Sequence, residues 1–160
     1  VLSELLWNAG LDVEPLIREW LRGGCGAAAA SLMDYYEHVA KLGEKSFTVP
    51  DGLASIDGAW LDSAERILQR AFARSLADKP ANRQVRRLRL GIWHLRLEKV
   101  CDSVRTGESL NAAAQAKHLE MLHKLEQGFR EFGYDRISRE ETISDFSRRV
   151  RAVLQEGLRR

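Results

Sequence analysis

Arg89 and Arg96 are the residues whose type and spacing most suggest ligand binding. They are seven residues apart in a long helical pattern, so both project from the same side of that helix. This side lies between two apolar seams, where an arginine must pair with a carboxylate, extend to water or contact a ligand, because an unpaired buried charge costs several kcal/mol. Six carboxylates on flanking segments favour ion pairing: Asp12, Glu19, Asp34, Glu37, Asp62 and Glu65. The alternative is an anion or sugar-acid contact, which makes Arg89 and Arg96 the candidate substrate-binding residues.

A short basic cluster lies at the beginning of the same helix. Its members are Arg83, Arg86, Arg87 and Arg89, and arginines placed in this way can contact phosphate groups. Basic runs on a helix more often form a solvated face or pair with acidic neighbours, and no aromatic stacking platform or nucleic-acid-binding motif accompanies this one. We therefore expect no nucleic-acid partner. The alternative that stays open is a free-standing helical module that binds an acidic protein or nucleic acid through residues 83–89.

The histidines do not follow a metal-binding pattern. His118 and His123 are five residues apart, whereas two ligands on one helical face need a spacing of three or four. His38 and His94 each stand alone in the sequence. We therefore expect no metal site.

No arrangement of nucleophile, acid and base predicts catalysis. Glu140 and Glu141 are adjacent, so on a helix they diverge by about 100°, whereas a glycosidase needs two carboxyl groups that face each other across a cleft. Cys25 and Cys101 fit no redox or metal spacing and have no evident histidine partner, so we expect two free thiols. There is no glycine-rich phosphate loop and no nucleophile elbow. The sequence predicts no catalytic residue and no cofactor.

The helix that carries these arginines is the longest in the chain and extends over about residues 81–104. Its apolar residues form two seams, the first with Val85, Leu88, Ile92 and Leu95 and the second with Leu90, Trp93, Leu97, Val100 and Val104. Because a surface helix shows only one such stripe, we expect neighbours to pack on this helix from two sides. It is the predicted centre of the fold.

The rest of the chain repeats the helical period and nowhere sustains the alternation of a strand. Gly43 to Gly58 is the longest irregular stretch, and the other connections are short. The segment Gly26 to Ala30 has such short side chains that another backbone can approach it closely. We predict one all-α domain over residues 1–160, with about six helices in an antiparallel bundle-like array around the central helix.

Local signals place several helix boundaries. The glycines of Arg22-Gly23-Gly24 predict the end of one helix. In Asp78-Lys79-Pro80, the aspartate can cap the central helix while the proline occupies its first turn, and Gly107 predicts its end. Ser138 and Glu141 have the spacing of a capping box, which predicts the start of the last helix.

The composition is that of a globular protein of modest size. The chain has 160 residues, of which 44% are hydrophobic and 30% charged, and this suffices for one domain with its own core. The formal net charge of +2 provides no general basic field that would attract nucleic acid. No apolar run approaches the roughly 20 residues of a membrane span, so we expect no membrane partner.

The sequence opens at Val1 within an apolar-rich stretch, VLSELLW. We interpret the chain as a fragment of a longer protein, in which residues 1–11 form the junction to an upstream domain. An apolar patch near Val1, Leu2, Leu5 and Leu6 is then expected to be exposed in the fragment and to support self-association. The sequence does not indicate a cellular compartment.

Residues 5–39, LLWNAGLDVEPLIREWLRGGCGAAAASLMDYYEHV, carry a family resemblance. They resemble the start of the C-terminal helical region in domain-of-unknown-function family 4838, which comprises large bacterial proteins similar to glycoside hydrolases of the alpha-glucuronidase and hexosaminidase type. The family pattern runs close to L-L-W-N-P, then D-V-D, then Y-Y-G-P-A-A. The matching residues are Leu5, Leu6, Trp7, Asn8, Asp12, Leu16, Ile17, Gly26, Ala27, Ala28 and Tyr35. Ala9 replaces the proline of the pattern, and Gly24-Cys25-Gly26 replaces its two tyrosines and glycine.

The resemblance implies an accessory role. In the family, this region follows a catalytic (β/α) barrel, and the catalytic carboxylates lie in that barrel, so no residue of the present chain inherits them. The resemblance therefore implies a non-catalytic helical domain that packs on the barrel of the same polypeptide and helps to shape its cleft or a dimer contact. Carbohydrate would then be handled only through the larger protein. The departure at residues 24–26 removes two aromatic residues that could face substrate.

Overall fold

The computed structural model describes residues 13–43 and 56–159. Every regular element in these ranges is a helix: α1 (Val13–Cys25), a 3-10 turn (Gly26–Ala28), α2 (Ala29–Gly43), α3 (Gly58–Arg74), α4 (Lys79–Arg105), α5 (Ala112–Phe132) and α6 (Ile143–Arg159). One isolated β-bridge joins Arg136 and Thr142. The prediction of an all-α fold is confirmed. None of the described helices combines the length and apolar character that crossing a membrane requires.

The chain divides into two compact units at Arg89, which lies within α4. The described part of the first unit contains α1, α2, α3 and the beginning of α4. The second unit contains the rest of α4 together with α5 and α6. The expectation of a single domain over residues 1–160 remains a prediction.

Helices α2 and α3 of the first unit are antiparallel. Near one end of the pair, Arg74 Nη1 donates a hydrogen bond to Ser31 Oγ at 3.0 Å. Near the other end, Trp60 Nε1 donates to the backbone carbonyl of His38 at 3.4 Å, and the two rings stack with centroids 4.8 Å apart. Each helix of the unit contributes fully buried side chains to the core, among them Leu21, Leu32, Leu68 and Val85.

In the second unit, the C-terminal part of α4 runs parallel to α6. The ring of His94 meets the ring of Phe146 edge-on at a centroid distance of 5.1 Å. Further along both helices, Val104 packs directly on the backbone of Gly157, where an added Cβ would be 2.9 Å from its Cγ2. The residue numbers of the contacting pairs rise together, as they must in a parallel pair.

Helix α5 completes the second unit and is antiparallel to α6. Gln115 Nε2 donates to the backbone carbonyl of Leu154 at 3.1 Å near the start of α5, and Arg151 Nη2 donates to Glu126 Oε1 at 2.6 Å further along it. The core of this unit comprises Leu90, Leu97, Cys101, Leu122, Leu125, Phe129, Phe146, Val150 and Leu154. In the second unit, α4 and α6 therefore point in the same direction, and α5, which lies between them in sequence, points in the opposite direction.

Helix α4 has the two apolar seams that its sequence predicts. Val85 and Ile92 of the first seam are no more than 1% exposed, and Leu97 and Val104 of the second are fully buried. The N-terminus of the helix is also as predicted, because Asp78 Oδ1 accepts a hydrogen bond from the backbone N–H of Ala81 at 3.0 Å. This pattern agrees with a helix that is packed on from two sides.

The predicted end of α1 at Gly23-Gly24 is wrong. The helix continues through both glycines to Cys25. A glycine in a helix costs only about 1 kcal/mol relative to alanine, which favourable packing of a neighbouring turn can offset. The chain turns instead at Gly26, whose φ of +44° lies in the left-handed region that favours glycine. The predicted junction at residues 1–11 lies outside the described residues.

The predicted capping box at the start of the last helix is also wrong. Helix α6 begins at Ile143, and its cap is Thr142, whose Oγ1 accepts from the backbone N–H of Asp145 at 3.1 Å. Ser138 Oγ does accept from the backbone N–H of Glu141 at 3.1 Å, but this bond closes a turn that precedes the helix. The carboxylate of Glu141 is engaged elsewhere, in an ion pair with α6.

Candidate functional site

Arg89 is integrated into the helix packing of the first unit. Its guanidinium lies over the ring of Phe72, with Cζ 5.2 Å from the ring centroid. Burial lowers the pKa of Arg89, and the carboxylate of Glu65 acts in the opposite direction. An arginine remains cationic under such a shift, so the stacking on Phe72 is a cation–π contact. The aromatic and acidic surroundings resemble those of a structural arginine, while a role in substrate binding remains a prediction.

Arg96 lies two turns further along α4, in the second unit, and is partly buried. Its charge contributes to the lowered pKa of His118, for which burial is the main cause and Lys117 the second. Arg89 thus lies near an aromatic ring and a carboxylate, and Arg96 lies close enough to His118 to influence its pKa.

A group of ionised side chains that the sequence did not reveal lies between α4 and α6. Arg149 donates two hydrogen bonds to Glu98, from Nη1 to Oε2 at 3.0 Å and from Nη2 to Oε1 at 2.7 Å. It donates two more to Glu141, from Nε to Oε1 and from Nη2 to Oε2, both at 2.9 Å. The three side chains are between 18% and 27% exposed. We call Glu98, Arg149 and Glu141 the ionic triad.

The electrostatics of the triad favour its charged form. The pKa of Glu98 falls to about 2, chiefly through a hydrogen bond from His94, whose Nε2 is 3.5 Å from Oε1; burial opposes this effect, and Arg149 adds to it. Hydrogen bonds to Glu141 and Glu98 raise the pKa of Arg149. Burial, followed by the nearby Glu98 carboxylate, raises the pKa of the Cys101 thiol to about 11. Glu98 is thus ionised at neutral pH, and Cys101 is protonated.

These properties fit a structural role of the triad better than a catalytic one. Arg149 uses four of the five N–H donors that a guanidinium offers, so little remains for a substrate. A general acid needs a pKa near the working pH, and that of Glu98 is far below it. A thiol with a raised pKa is a poor nucleophile. The arrangement holds the second unit together by joining α4, α6 and the turn before α6.

An open cleft lies between α1 and α2 in the first unit. Its volume is about 280 Å³, and it is lined by Arg18, Leu21, Arg22, Gly26, Ala27, Ala29, Ala30 and Met33. Four residues of the short-sided segment 26–30 belong to this lining. The lining contains no carboxylate, histidine, cysteine or hydroxyl group. Arg18 at its edge is paired within the unit, with Glu14 at 2.6 Å and Glu37 at 3.7 Å.

Metal-binding groups do not converge in the part of the chain that the structure describes. Within residues 13–43 and 56–159, no three His, Cys, Asp or Glu side chains are close enough to hold a metal ion. Cys25 and Cys101 are both buried free thiols.

The sequence did not indicate the triad because its members come from distant positions. Glu98 and Arg149 are 51 residues apart, and no local spacing relates them. The single local signal is that Arg149 directly precedes Val150 and follows Phe146 by three residues, which places it at the border of a buried helix face. That border position predicts partial burial of Arg149 without identifying its partners.

Comparison with known proteins gives no relative. The sequence matches no protein-family model, and it has no match among curated proteins or solved structures. The resemblance to family 4838 therefore stays a prediction from residues 5–39, and the function must be argued from the chain itself.

Proposed function

We propose that this chain is a non-catalytic helical domain that acts by packing against another protein surface. The observation that carries the proposal is Trp20 of α1, which is 50% exposed. Leu16 and Ile17 lie beside it on the same apolar face and are only partly buried. A large aromatic side chain left in water on an amphipathic helix is typical of an interaction site, because tryptophan is enriched among residues that dominate binding energy.

The chemistry of the described residues supports the non-catalytic part of the proposal. The strongest pKa shifts belong to the ionic triad and to Cys101 beside it, and each of these shifts removes reactivity at neutral pH. The cleft beside α1 offers apolar and small side chains with two arginines, which suits docking better than acid–base chemistry.

The family resemblance supplies the partner in this proposal. It is the (β/α) barrel of a larger glycoside-hydrolase-like protein, on which the helical domain packs as an accessory element. Helix α1 is the first helix after the predicted junction at residues 1–11, so it lies nearest in sequence to such a barrel. Substrate carbohydrate would be bound by the larger protein, with the helical domain shaping the cleft or a dimer contact.

The docking role can be tested by sedimentation velocity on the 160-residue chain. Without a covering partner, the apolar face of α1 should drive self-association that grows with concentration. Trp20→Ser should weaken this association, whereas Leu76→Ser, which removes an isolated apolar side chain that is 67% exposed, should not. Equal behaviour of the two variants, or a monomer at every concentration, would contradict a docking role for this face.

The non-catalytic assignment has its own test. The purified chain is assayed with a panel of aryl glycosides, including uronic-acid and N-acetylhexosamine derivatives. No turnover is expected, because the residues that line the cleft beside α1 include no carboxylate, and the carboxylates of Glu98 and Glu141 are both bound by Arg149. Turnover that one carboxylate substitution in this chain abolishes would overturn the assignment.

A further inference from the structure

The turn between α3 and α4 is flanked by an unusual concentration of positive charge. Positions 66–89 contain one acidic residue, Asp78, and eight basic ones: Arg66, Arg70, Arg74, Lys79, Arg83, Arg86, Arg87 and Arg89. The whole chain has 25 basic and 23 acidic residues, so the rest of it is net negative. The positive charge of this protein is therefore collected largely in one helical hairpin of the first unit.

Six of these side chains are exposed and form two regular rows. Arg66, Arg70 and Arg74 recur every four residues on α3, and Lys79, Arg83 and Arg87 do so on α4. Four residues advance a helix by about 6 Å, so each row presents cations at that interval. The rows lie away from the buried positions of the same helices, such as Leu68 on α3 and Val85 on α4.

The two rows lie on consecutive helices and end on either side of the short turn that joins them. Arg74 is the last residue of α3 and Lys79 the first of α4. The helices also pack on each other across the turn: Asn82 Nδ2 donates to Ser75 Oγ at 3.2 Å, and Arg89 lies over Phe72. We call the six exposed residues of the two rows the basic hairpin surface.

We propose that the basic hairpin surface docks an acidic helical segment of a partner protein. Carboxylates four residues apart on a helix repeat at the same interval of about 6 Å as the cations of each row. The surface already holds one carboxylate of its own chain, since Arg70 Nη2 is 3.4 Å from Asp34 Oδ2 and both side chains are exposed. Five of the six cations are arginines, whose planar guanidinium binds carboxylates through paired hydrogen bonds.

An acidic protein fits this surface better than nucleic acid. The chain as a whole has a net charge of only +2, so it provides no general basic field of the kind that accompanies nucleic-acid binding. The hairpin also offers no exposed aromatic ring for stacking bases, because Phe72 is partly buried beneath Arg89. The surface is distinct in sequence from the apolar face of α1, so this proposal goes beyond the proposed packing role and does not depend on it.

Fluorescence anisotropy on the full chain tests the proposal. The probe is a labelled, glutamate-rich helical peptide with Glu at every fourth position, compared with a peptide in which Gln replaces each Glu. The test variant reverses three charges, Lys79→Glu, Arg83→Glu and Arg87→Glu. The matched control reverses one lysine and two arginines that are also exposed but lie in the second unit: Lys124→Glu, Arg105→Glu and Arg148→Glu.

We expect the wild-type chain to bind the Glu peptide at low ionic strength and not the Gln peptide. The test variant should lose about tenfold or more in affinity, because several modest exposed ion pairs are removed together. The control variant should stay within about twofold of the wild type, and added salt should weaken binding. Arg66→Gln, Arg70→Gln and Arg74→Gln combined should also weaken binding if both rows take part.

Three results would overturn the proposal. One is the absence of binding to the Glu peptide. Another is an equal loss of affinity in the test and control variants, which would reflect net charge alone. The third is tighter binding of a short DNA duplex than of the Glu peptide, which would assign the surface to nucleic acid. Circular dichroism of each variant confirms that the comparison is made between folded chains.

Discussion

Arg149 illustrates how helix packing accommodates a charged side chain. One guanidinium holds two carboxylates, Glu98 and Glu141, through four hydrogen bonds of 2.7 to 3.0 Å. The pair of negative charges is tolerable because the cation lies between them and His94 adds a further hydrogen bond to Glu98. Removing the arginine would leave two carboxylates close together in a partly buried place, which is far more costly than losing a surface ion pair.

Arg149→Met should therefore lower the free energy of unfolding by about 2 to 3 kcal/mol, somewhat less than for a fully buried pair because the triad is partly exposed. Arg148→Met is the matched control. Its guanidinium is also paired, with Asp145 at 3.2 Å, but its side chain is 77% exposed. The control should change stability by no more than about 0.5 kcal/mol. Urea denaturation of both variants measures the difference, and similar midpoints would mean that the triad contributes little.

The low pKa of Glu98 makes stability depend on pH in a defined range. The pKa is about 2 in the folded chain and about 4.3 in an unfolded one, so the ionised carboxylate favours folding. This contribution is complete above pH about 4.3 and is lost as the pH falls through about 2. Its size is roughly 3 kcal/mol at most, since each pKa unit corresponds to about 1.4 kcal/mol.

Glu98→Gln should flatten this part of the pH profile. Urea unfolding of wild type and variant at a series of pH values between about 5 and about 2 gives the two curves for comparison. The variant should be less stable at neutral pH, and its stability should fall less steeply with acid. An equally steep loss in the variant would assign the acid sensitivity to other carboxylates.

For single residues, the sequence predicts partial burial but not the partners of a side chain. Arg89 and Arg96 were identifiable as partly buried because a helical period of 3.6 residues places them between two seams. Their neighbours were not predictable, since Phe72, which Arg89 lies over, and His118, whose pKa Arg96 influences, come from other helices. The same holds for Arg149, whose carboxylate partners are set by how helices pack and not by any spacing within one helix.

Helices as elements were more predictable than the side chains between them. The course of α4 follows from local chemistry, with Asp78 at its start and Gly107, at a φ of +108°, just after its end. The two wrong boundaries have local causes as well. Gly23 and Gly24 have nothing within 4 Å of an added Cβ, so no close contact accounts for glycine there. The cap of α6 is Thr142, and the carboxylate of Glu141, which a capping box would use, is bound by Arg149.

Two glycines in the second unit predict opposite responses to alanine. A Cβ at Gly128 would clash with Leu90 Cδ2, and Leu90 is buried, so either the Leu90 side chain must change its rotamer or α5 must move away from α4. Gly128→Ala should destabilise the chain by about 1 to 2 kcal/mol. A Cβ at Gly91 would have no atom within 4 Å. Gly91→Ala should therefore stabilise helix α4 by up to about 1 kcal/mol, because alanine has the higher helix propensity. Thermal denaturation of both variants provides the comparison.

The crowding at Gly128 can be checked by removing its cause. In a Leu90→Ala background, Gly128→Ala should cost less than in the wild type, because the methyl groups that it meets are gone. If the changes in unfolding free energy of the two single variants simply add in the double variant, the cost of Gly128→Ala has a cause other than contact with Leu90.

At the scale of the whole molecule, the distribution of charge and of apolar surface separates two kinds of interaction. The exposed Trp20 lies on α1, and the basic hairpin surface lies on α3 and α4. An apolar face suits a lasting interface, whereas a charged surface suits an association that varies with ionic strength. Peptide binding that survives Trp20→Ser would show that the two surfaces act independently.

The course of α4 through both units bears on how the chain unfolds. Helix α4, like most helices in proteins, owes most of its stability to packing against its neighbours. If one unit lost its structure, its part of α4 would lose the packing that supports it. The part of α4 in the other unit would then become less stable. We therefore expect one cooperative transition for residues 1–160, as the prediction of a single domain requires.

Core substitutions in each unit test this expectation. Leu68→Ala in the first unit and Leu122→Ala in the second each remove a fully buried side chain and should cost about 2 to 5 kcal/mol. Under cooperative unfolding, native-state hydrogen exchange should show that either substitution lowers the protection of the most stable amides in both units equally. If each substitution acts only on its own unit, with a second step in the denaturation curve, the chain consists of two domains and the prediction of a single domain is wrong.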